Sequence, residues 1–188
     1  MSRQPLPESL AQAQADTPER PSSEALQVGI GQLKVAGRAG QLQAVLGSCI
    51  GIAFLWEKGG RCGLAHCLLP EPPGGCPTAS GALHDAGARY VSQAVPALLR
   101  QMGAREADYP DITVILAGGA SMLHSTRLCV GRENAAAARK YLDQCGLQVG
   151  YCELGGKHGR QLLIDCARQS YTIKDITPFG QEARYEHH

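Results

Sequence analysis

A chain of 188 residues with 44% hydrophobic side chains suits one domain of ordinary size with polar extensions. Aromatics supply only 5%, so the core must rest on Leu, Val, Ile and Ala. Basic and acidic residues interleave to a formal net charge of +1, which argues against a nucleic-acid partner, and the longest apolar runs are strand-sized, which argues against direct membrane insertion.

Residues 1–25 are dense in Pro, Ser, Gln and charge and lack the apolar centre of a signal peptide, so they read as a flexible polar leader. On that reading the chain is cytoplasmic, and its eight cysteines are not a disulfide framework. Residues 26–176 then carry the domain, and 177–188 form a second polar tail. Alternation of apolar and polar positions in "VGIGQLKV" predicts a half-buried strand over 28–35, and "QLQAVL" a second over 41–46. Residues 50–56 and 62–69 read as two strands joined by the glycine-containing turn "EKGGR". A loop dense in Pro and Gly fills 70–81, and the apolar stripe that follows predicts a helix over 83–102, with a kink or early boundary at Pro96. A buried strand over 112–117 leads into the glycine turn "AGGASM". Residues 132–146 form a second helix stopped by Gly146, and strands over 147–154, 160–166 and 170–176 complete the chain, the first two flanking "GGKHGR". The pattern is α/β with α+β character: a layered sandwich of mixed β-sheets flanked by two main helices.

Cys49, behind Gly47 and Ser48, and His66, on the next apolar run, are the residues that raise a question of chemistry. A nucleophilic cysteine needs access, a route to thiolate and donors for the oxyanion its attack creates; its small neighbours leave room for a substrate carbonyl, and a glycine turn tends to present N–H groups outward. His66 is the natural base. As a nucleophile, Cys49 is expected to have a depressed pKa and to react ahead of the other seven cysteines at mildly acidic pH. A hairpin centred on Gly59 and Gly60 would place His66 opposite Ala53, too far from Cys49 unless Cys49 sits on a curled loop before its strand or a bulge shifts the register. The competing reading is that both are core residues, since free cysteine is among the most buried residue types.

The remaining candidates are weaker. Cys62, Cys67 and Cys76 with His84 suggest zinc only loosely, because no CxxC knuckle is present. Cys129, Cys145, Cys152 and Cys166 fall on apolar faces and read as core, and His124 and His158 lie in loops. "AGGASM" and "GGKHGR" match neither a Walker loop nor a dinucleotide fingerprint, and Ser48 and Ser121 lack a G-x-S-x-G context. Gly118, Gly119 and Ser121 either line a cleft or form a tight turn; Arg160 reads as structural, and Asn134 as a helix-start residue.

"VLGSCIGIAFLW…CGLAHCLLP" closely resembles the signature of the chemoreceptor glutamine deamidase family, CheD, with its LGSC turn and its histidine in a short "H…LP" segment. "AGGASM" is similar to the family's central glycine segment, and "VGRENAAAARKYLDQCGLQVGYCELGGKHGRQLLID" to its "IG.RN" helix, following strand and "GG…R" turn. The resemblance spans about residues 28–174. It implies a cytoplasmic enzyme of the layered cysteine-deamidase fold, needing no cofactor, that hydrolyses selected glutamines on the cytoplasmic helices of chemoreceptors to glutamates. It further implies Cys49 as nucleophile, His66 as its partner and a CheC-type phosphatase as a binding partner. Where the family carries a threonine six residues before the cysteine this chain has Gln43, whose carbonyl is a candidate to orient the imidazole from a longer side chain. That departure keeps open an alternative, a catalytically weak or inactive adaptor of the same fold that binds the phosphatase or receptors.

Overall fold

The computed structural model describes residues 24–74, 87–121 and 130–176. Most of the leader, the tail, and Cys76, His84, His124 and Cys129 lie outside the described residues. Among the described residues, nine strands and two α-helices follow one another as β1 (Leu26–Gln27), β2 (Leu33–Gly37), β3 (Gln41–Leu46), β4 (Ile50–Trp56), β5 (Arg61–Cys67), α1 (Val91–Met102), β6 (Thr113–Gly118), α2 (Val130–Gln144), β7 (Val149–Leu154), β8 (Gly159–Asp165) and β9 (Ser170–Ile176). A 3-10 segment, Glu106–Asp111, links α1 to β6; no periodicity in that stretch announces it.

The strands form two mixed sheets, one ordered β1-β3-β8-β9 and the other β2-β5-β4-β6-β7. The larger sheet has two differently buried faces. Ile50, Ile52, Phe54, Ala65, Val114 and Leu116 point to one side, where Val95, Leu98 and Met102 of α1 and Ala138 and Leu142 of α2 cover them. Ala53, Leu55, Leu64, Ile115 and Ala117 point to the other, against Leu42, Ala44, Leu46, Leu162 and Ile164 of the smaller sheet. The molecule is therefore three layers deep, helices over sheet over sheet, with both helices on the same side. The inner strands β4 and β6 of this sheet are apolar on both faces, which explains why "IGIAFLW" and "ILAG" read as continuous runs and not as alternations. β8 lies in the outer sheet and alternates as expected for a half-buried strand. Each fully buried Leu, Ile or Phe contributes about 1.5–3 kcal/mol, so the two interfaces hold the layers together without aromatic-rich packing.

Two expected elements are redrawn. The strand over 28–35 begins only at Leu33, because the chain turns at Gly31 (φ +76°) to wrap the end of β5. The helix over 83–102 begins only at Val91 and runs unbroken through Pro96. Residues 88–90 instead lie extended beside the continuation of β5: the Leu68 and Leu69 N–H groups both donate to the Arg89 carbonyl, Ala88 N–H to the Gly31 carbonyl and Val91 N–H to the Leu69 carbonyl. Those backbone groups need partners once buried, and that demand outweighs helix propensity.

Candidate active site

β4 and β5 fix the relation between Cys49 and His66. Their turn closes on Trp56 and Arg61 and is centred between Lys58 and Gly59, one residue earlier than expected, so His66 pairs with Gly51 and Cys67 with Ile50. Ala53 pairs with Leu64 instead. Cys49 sits in the bend immediately before β4, next to the Ile50–Cys67 pair and at the same end of the hairpin as His66.

His66 is held from three directions by the segment that turns at Gly31. Its N–H donates to the Gln32 carbonyl at 2.9 Å and its carbonyl accepts from Gly31 N–H at 2.8 Å. Its Nδ1 lies 3.1 Å from the Val28 carbonyl, which can only accept, so Nδ1 carries the proton and Nε2 the lone pair. Nε2 is buried and has no hydrogen-bond partner among the described residues. Val28 is itself pinned, its N–H donating to the Gln43 carbonyl at 2.7 Å. The orienting carbonyl is thus a main-chain group of Val28. The Gln43 side chain does not supply it: its Oε1 accepts from Gln161 Nε2 at 3.0 Å, with both residues on the outer face of the smaller sheet.

The turn that carries Cys49 is tied down through three successive carbonyls. Gly47 C=O accepts from Ala120 N–H and Cys49 C=O from Gly119 N–H, each at 2.8 Å. Ser48 C=O accepts from Asn134 Nδ2 at 3.2 Å. The glycines of "AGGASM" back this turn: Gly118 (φ +105°) faces the Cys49 carbonyl so closely that no Cβ fits, and Gly119 (φ +67°) packs on Gly131 at the start of α2. Ser121 is exposed, and its N–H donates to Gly156 C=O at 2.9 Å. Asn134 is fully buried inside α2 and is no helix-start residue. Its position on the apolar stripe with Gly131, Ala137, Ala138 and Leu142 was the available sign that it serves something other than the helix. Arg160, 8% exposed, is engaged internally with Glu153 at 2.7 Å, Asp175 at 3.4 Å and Gly155 C=O at 2.7 Å. It braces the β7–β8 turn that meets Ser121.

The electrostatics differ from the expectation of a depressed thiol. Cys49 is 6% exposed, and burial pushes its thiol above the ordinary value of 9.0; the adjacent Cys49 N–H pulls it back only in part. Burial likewise holds His66 below its ordinary 6.5, against the opposing pull of the Val28 carbonyl. The resting pair is a neutral thiol and a neutral imidazole. Among the other cysteines, Cys67 is fully buried against the helices, and Cys62 and Cys166 share Gln169 Nε2 between the sheets, so these are core residues. Cys152 is exposed beside Arg139, contrary to its expected place in the core. No three His, Cys, Asp or Glu side chains gather as a metal set among the described residues.

The sequence profile described as CheD chemotactic sensory transduction matches residues 68–175 of this chain. A protein of Bdellovibrio bacteriovorus named probable chemoreceptor glutamine deamidase CheD is 38% identical over 141 residues, covering 73% of this chain and 86% of its own. One of Ruegeria sp., named probable chemoreceptor glutamine deamidase CheD 2, is 34% identical over 168 residues, covering 82% and 94%. A third, of Haloarcula marismortui and also named as a probable CheD, is 31% identical over 167 residues, covering 86% and 91%.

Proposed function

The chain belongs to the CheD family, and from that premise we propose that it is a chemoreceptor glutamine deamidase in which Cys49 is the nucleophile and His66 the acid and base. Its substrate is the side-chain amide of glutamine on the cytoplasmic helices of chemoreceptors, and it works in the cytoplasm. No helix among the described residues is long and apolar enough to cross a membrane. A CheC-type phosphatase is its proposed protein partner.

The observation that carries the assignment of roles is the orphaned Nε2 of His66. A buried ring nitrogen without a partner costs about 1–3 kcal/mol, and the cost is offset if it faces a reacting group. With Nδ1–H fixed on Val28, Nε2 accepts the Cys49 proton as the sulfur attacks the carboxamide carbon, so the thiolate forms only during attack. The tetrahedral intermediate collapses with the C–N bond breaking, and Nε2–H passes its proton to the leaving nitrogen as ammonia. A water, deprotonated by the same Nε2, then attacks the thioester carbonyl. The C–S bond breaks, leaving glutamate and the restored thiol. Neutral resting groups suit this sequence, because an imidazolium would have no lone pair to offer.

The test is to incubate the protein with a chemoreceptor cytoplasmic domain beside Cys49→Ala and His66→Ala and to map glutamine-to-glutamate conversion by peptide mass spectrometry. Conversion by the wild type that disappears in both variants is the expected result. Receptor binding without conversion would replace the enzyme with an adaptor.

A further inference from the structure

The buried Asn134 side chain hydrogen-bonds the segments carrying both reactive residues. Its Nδ2 donates to Ser48 C=O at 3.2 Å and to Leu68 C=O at 3.0 Å. Ser48 immediately precedes Cys49, and Leu68 follows His66 by two positions. Asparagine is a poor helix former inside a helix such as "RENAAAARKYL", and its other amide atom, Oδ1, is buried without a partner among the described residues. A residue that disfavours its own helix and leaves an acceptor unsatisfied is engaged here through its donor.

What the donor does follows from the trans peptide. In each peptide unit C=O and N–H point in opposite directions. The Gly47, Ser48 and Cys49 carbonyls all point inward, to Ala120, Asn134 and Gly119 respectively. The N–H groups of the same three peptides, those of Ser48, Cys49 and Ile50, are therefore turned to the opposite side. The Cys49 N–H lies close enough to its own sulfur to act on it. Ala120 and Gly119 hold the outer two peptides through main-chain bonds, and only the middle one depends on a side chain.

We propose that Asn134 is a positioning residue that locks the Ser48–Cys49 peptide so that the Cys49 N–H is presented as the oxyanion donor for the tetrahedral intermediate. The role rests on the deamidase reading above. Free of Asn134, that peptide can rotate and withdraw the donor while the thiol and imidazole stay in place. Attack on an amide needs the donor, whereas alkylation of the same sulfur by iodoacetamide, a displacement at saturated carbon, creates no oxyanion.

The experiment compares Asn134→Ala and the nearly isosteric Asn134→Asp with Leu142→Ala, which removes a fully buried contact from the same helix two turns further on. For each folded variant, kcat and KM are measured for receptor glutamine conversion, and the rate of Cys49 alkylation by iodoacetamide is read by peptide mass spectrometry. Thermal melts set a temperature at which all are native. Both Asn134 variants are expected to lose about 10²–10³-fold in kcat, the scale of one missing oxyanion donor, with KM and alkylation changed less than about threefold. Leu142→Ala is expected to keep its kcat. An Asn134 variant with unchanged kcat overturns the proposal. So does alkylation that falls in step with kcat, which would place the effect on the thiol, or an equal kcat loss in Leu142→Ala, which would make it a packing effect. A wild type that converts no glutamine removes the deamidase reading and this role with it. A converting wild type with indifferent Asn134 variants removes this role alone.

Discussion

Gly118→Ala tests how closely the nucleophile turn depends on β6. Gly118 ends that strand at φ +105°, and a Cβ there runs into the Cys49 carbonyl oxygen, with Leu46 Cβ only 3.2 Å away. Two penalties arise. Holding a non-glycine residue in this region costs about 1–3 kcal/mol. Relieving the overlap displaces the Cys49 carbonyl from its 2.8 Å bond with Gly119 N–H, a further loss of about 0.5–1.5 kcal/mol. The expected loss of stability is thus about 1.5–4.5 kcal/mol. Displacing the nucleophile by about 1 Å lowers turnover on the order of 10²-fold. Gly146→Ala is the reference: its φ is +69°, but nothing lies within 4 Å of the added Cβ, so only the conformational cost applies. That cost is about 1–2 kcal/mol, with turnover unchanged. Urea unfolding reads stability, and glutamine conversion under native conditions reads activity. A Gly118→Ala protein that matches Gly146→Ala in both would refute the claim that close approach of β6 sets the Cys49 turn.

The other predictions concern titration and the side chains placed away from the site. The lowered His66 binds fewer protons in the folded chain than in the unfolded one, so its contribution to stability is lost as pH falls below 6.5 toward the folded value. The raised Cys49 thiol retains a proton that the unfolded chain gives up, so that contribution is lost as pH rises past 9.0. Melting temperature against pH should therefore slope on both sides, and His66→Gln should flatten the acid limb; an unchanged acid limb would contradict the buried neutral imidazole. Gln43→Ala should change kcat by less than about threefold, since the imidazole is oriented by the Val28 carbonyl; a loss near 10²-fold in the same conversion assay would return the orienting role to this side chain. In timed alkylation of the native protein, exposed Cys152 should be labelled before buried Cys62, Cys67 and Cys166; labelling of Cys67 ahead of Cys152 would contradict the packing.

Strand periodicity, the two helical stripes and the glycine-bounded turns already describe β3, β4, β6, β8, β9 and most of α2, because those features depend on residues a few positions apart. The LGSC turn and the following histidine likewise stand out as a pair by type and interval. The sequence could not determine how the pair is held. A one-residue change in where the β4–β5 hairpin turns shifts His66 from Ala53 to Gly51, and no local preference in "EKGGR" decides that; the fit of β4 and β5 between β6 and β2 does. The Val28 carbonyl on Nδ1 and the Asn134 amide on Ser48 come from segments 38 and 86 positions away. Backbone acceptors leave no mark in residue type, and an asparagine reads as a helix-start residue until its carbonyl partners are known. Burial, which raises Cys49 and lowers His66, is likewise a property of the closed layers. Residue identity determined which groups were available for the chemistry; only the tertiary structure decided their protonation, their orientation and what holds them, because those depend on partners distant in the chain and on the exclusion of water.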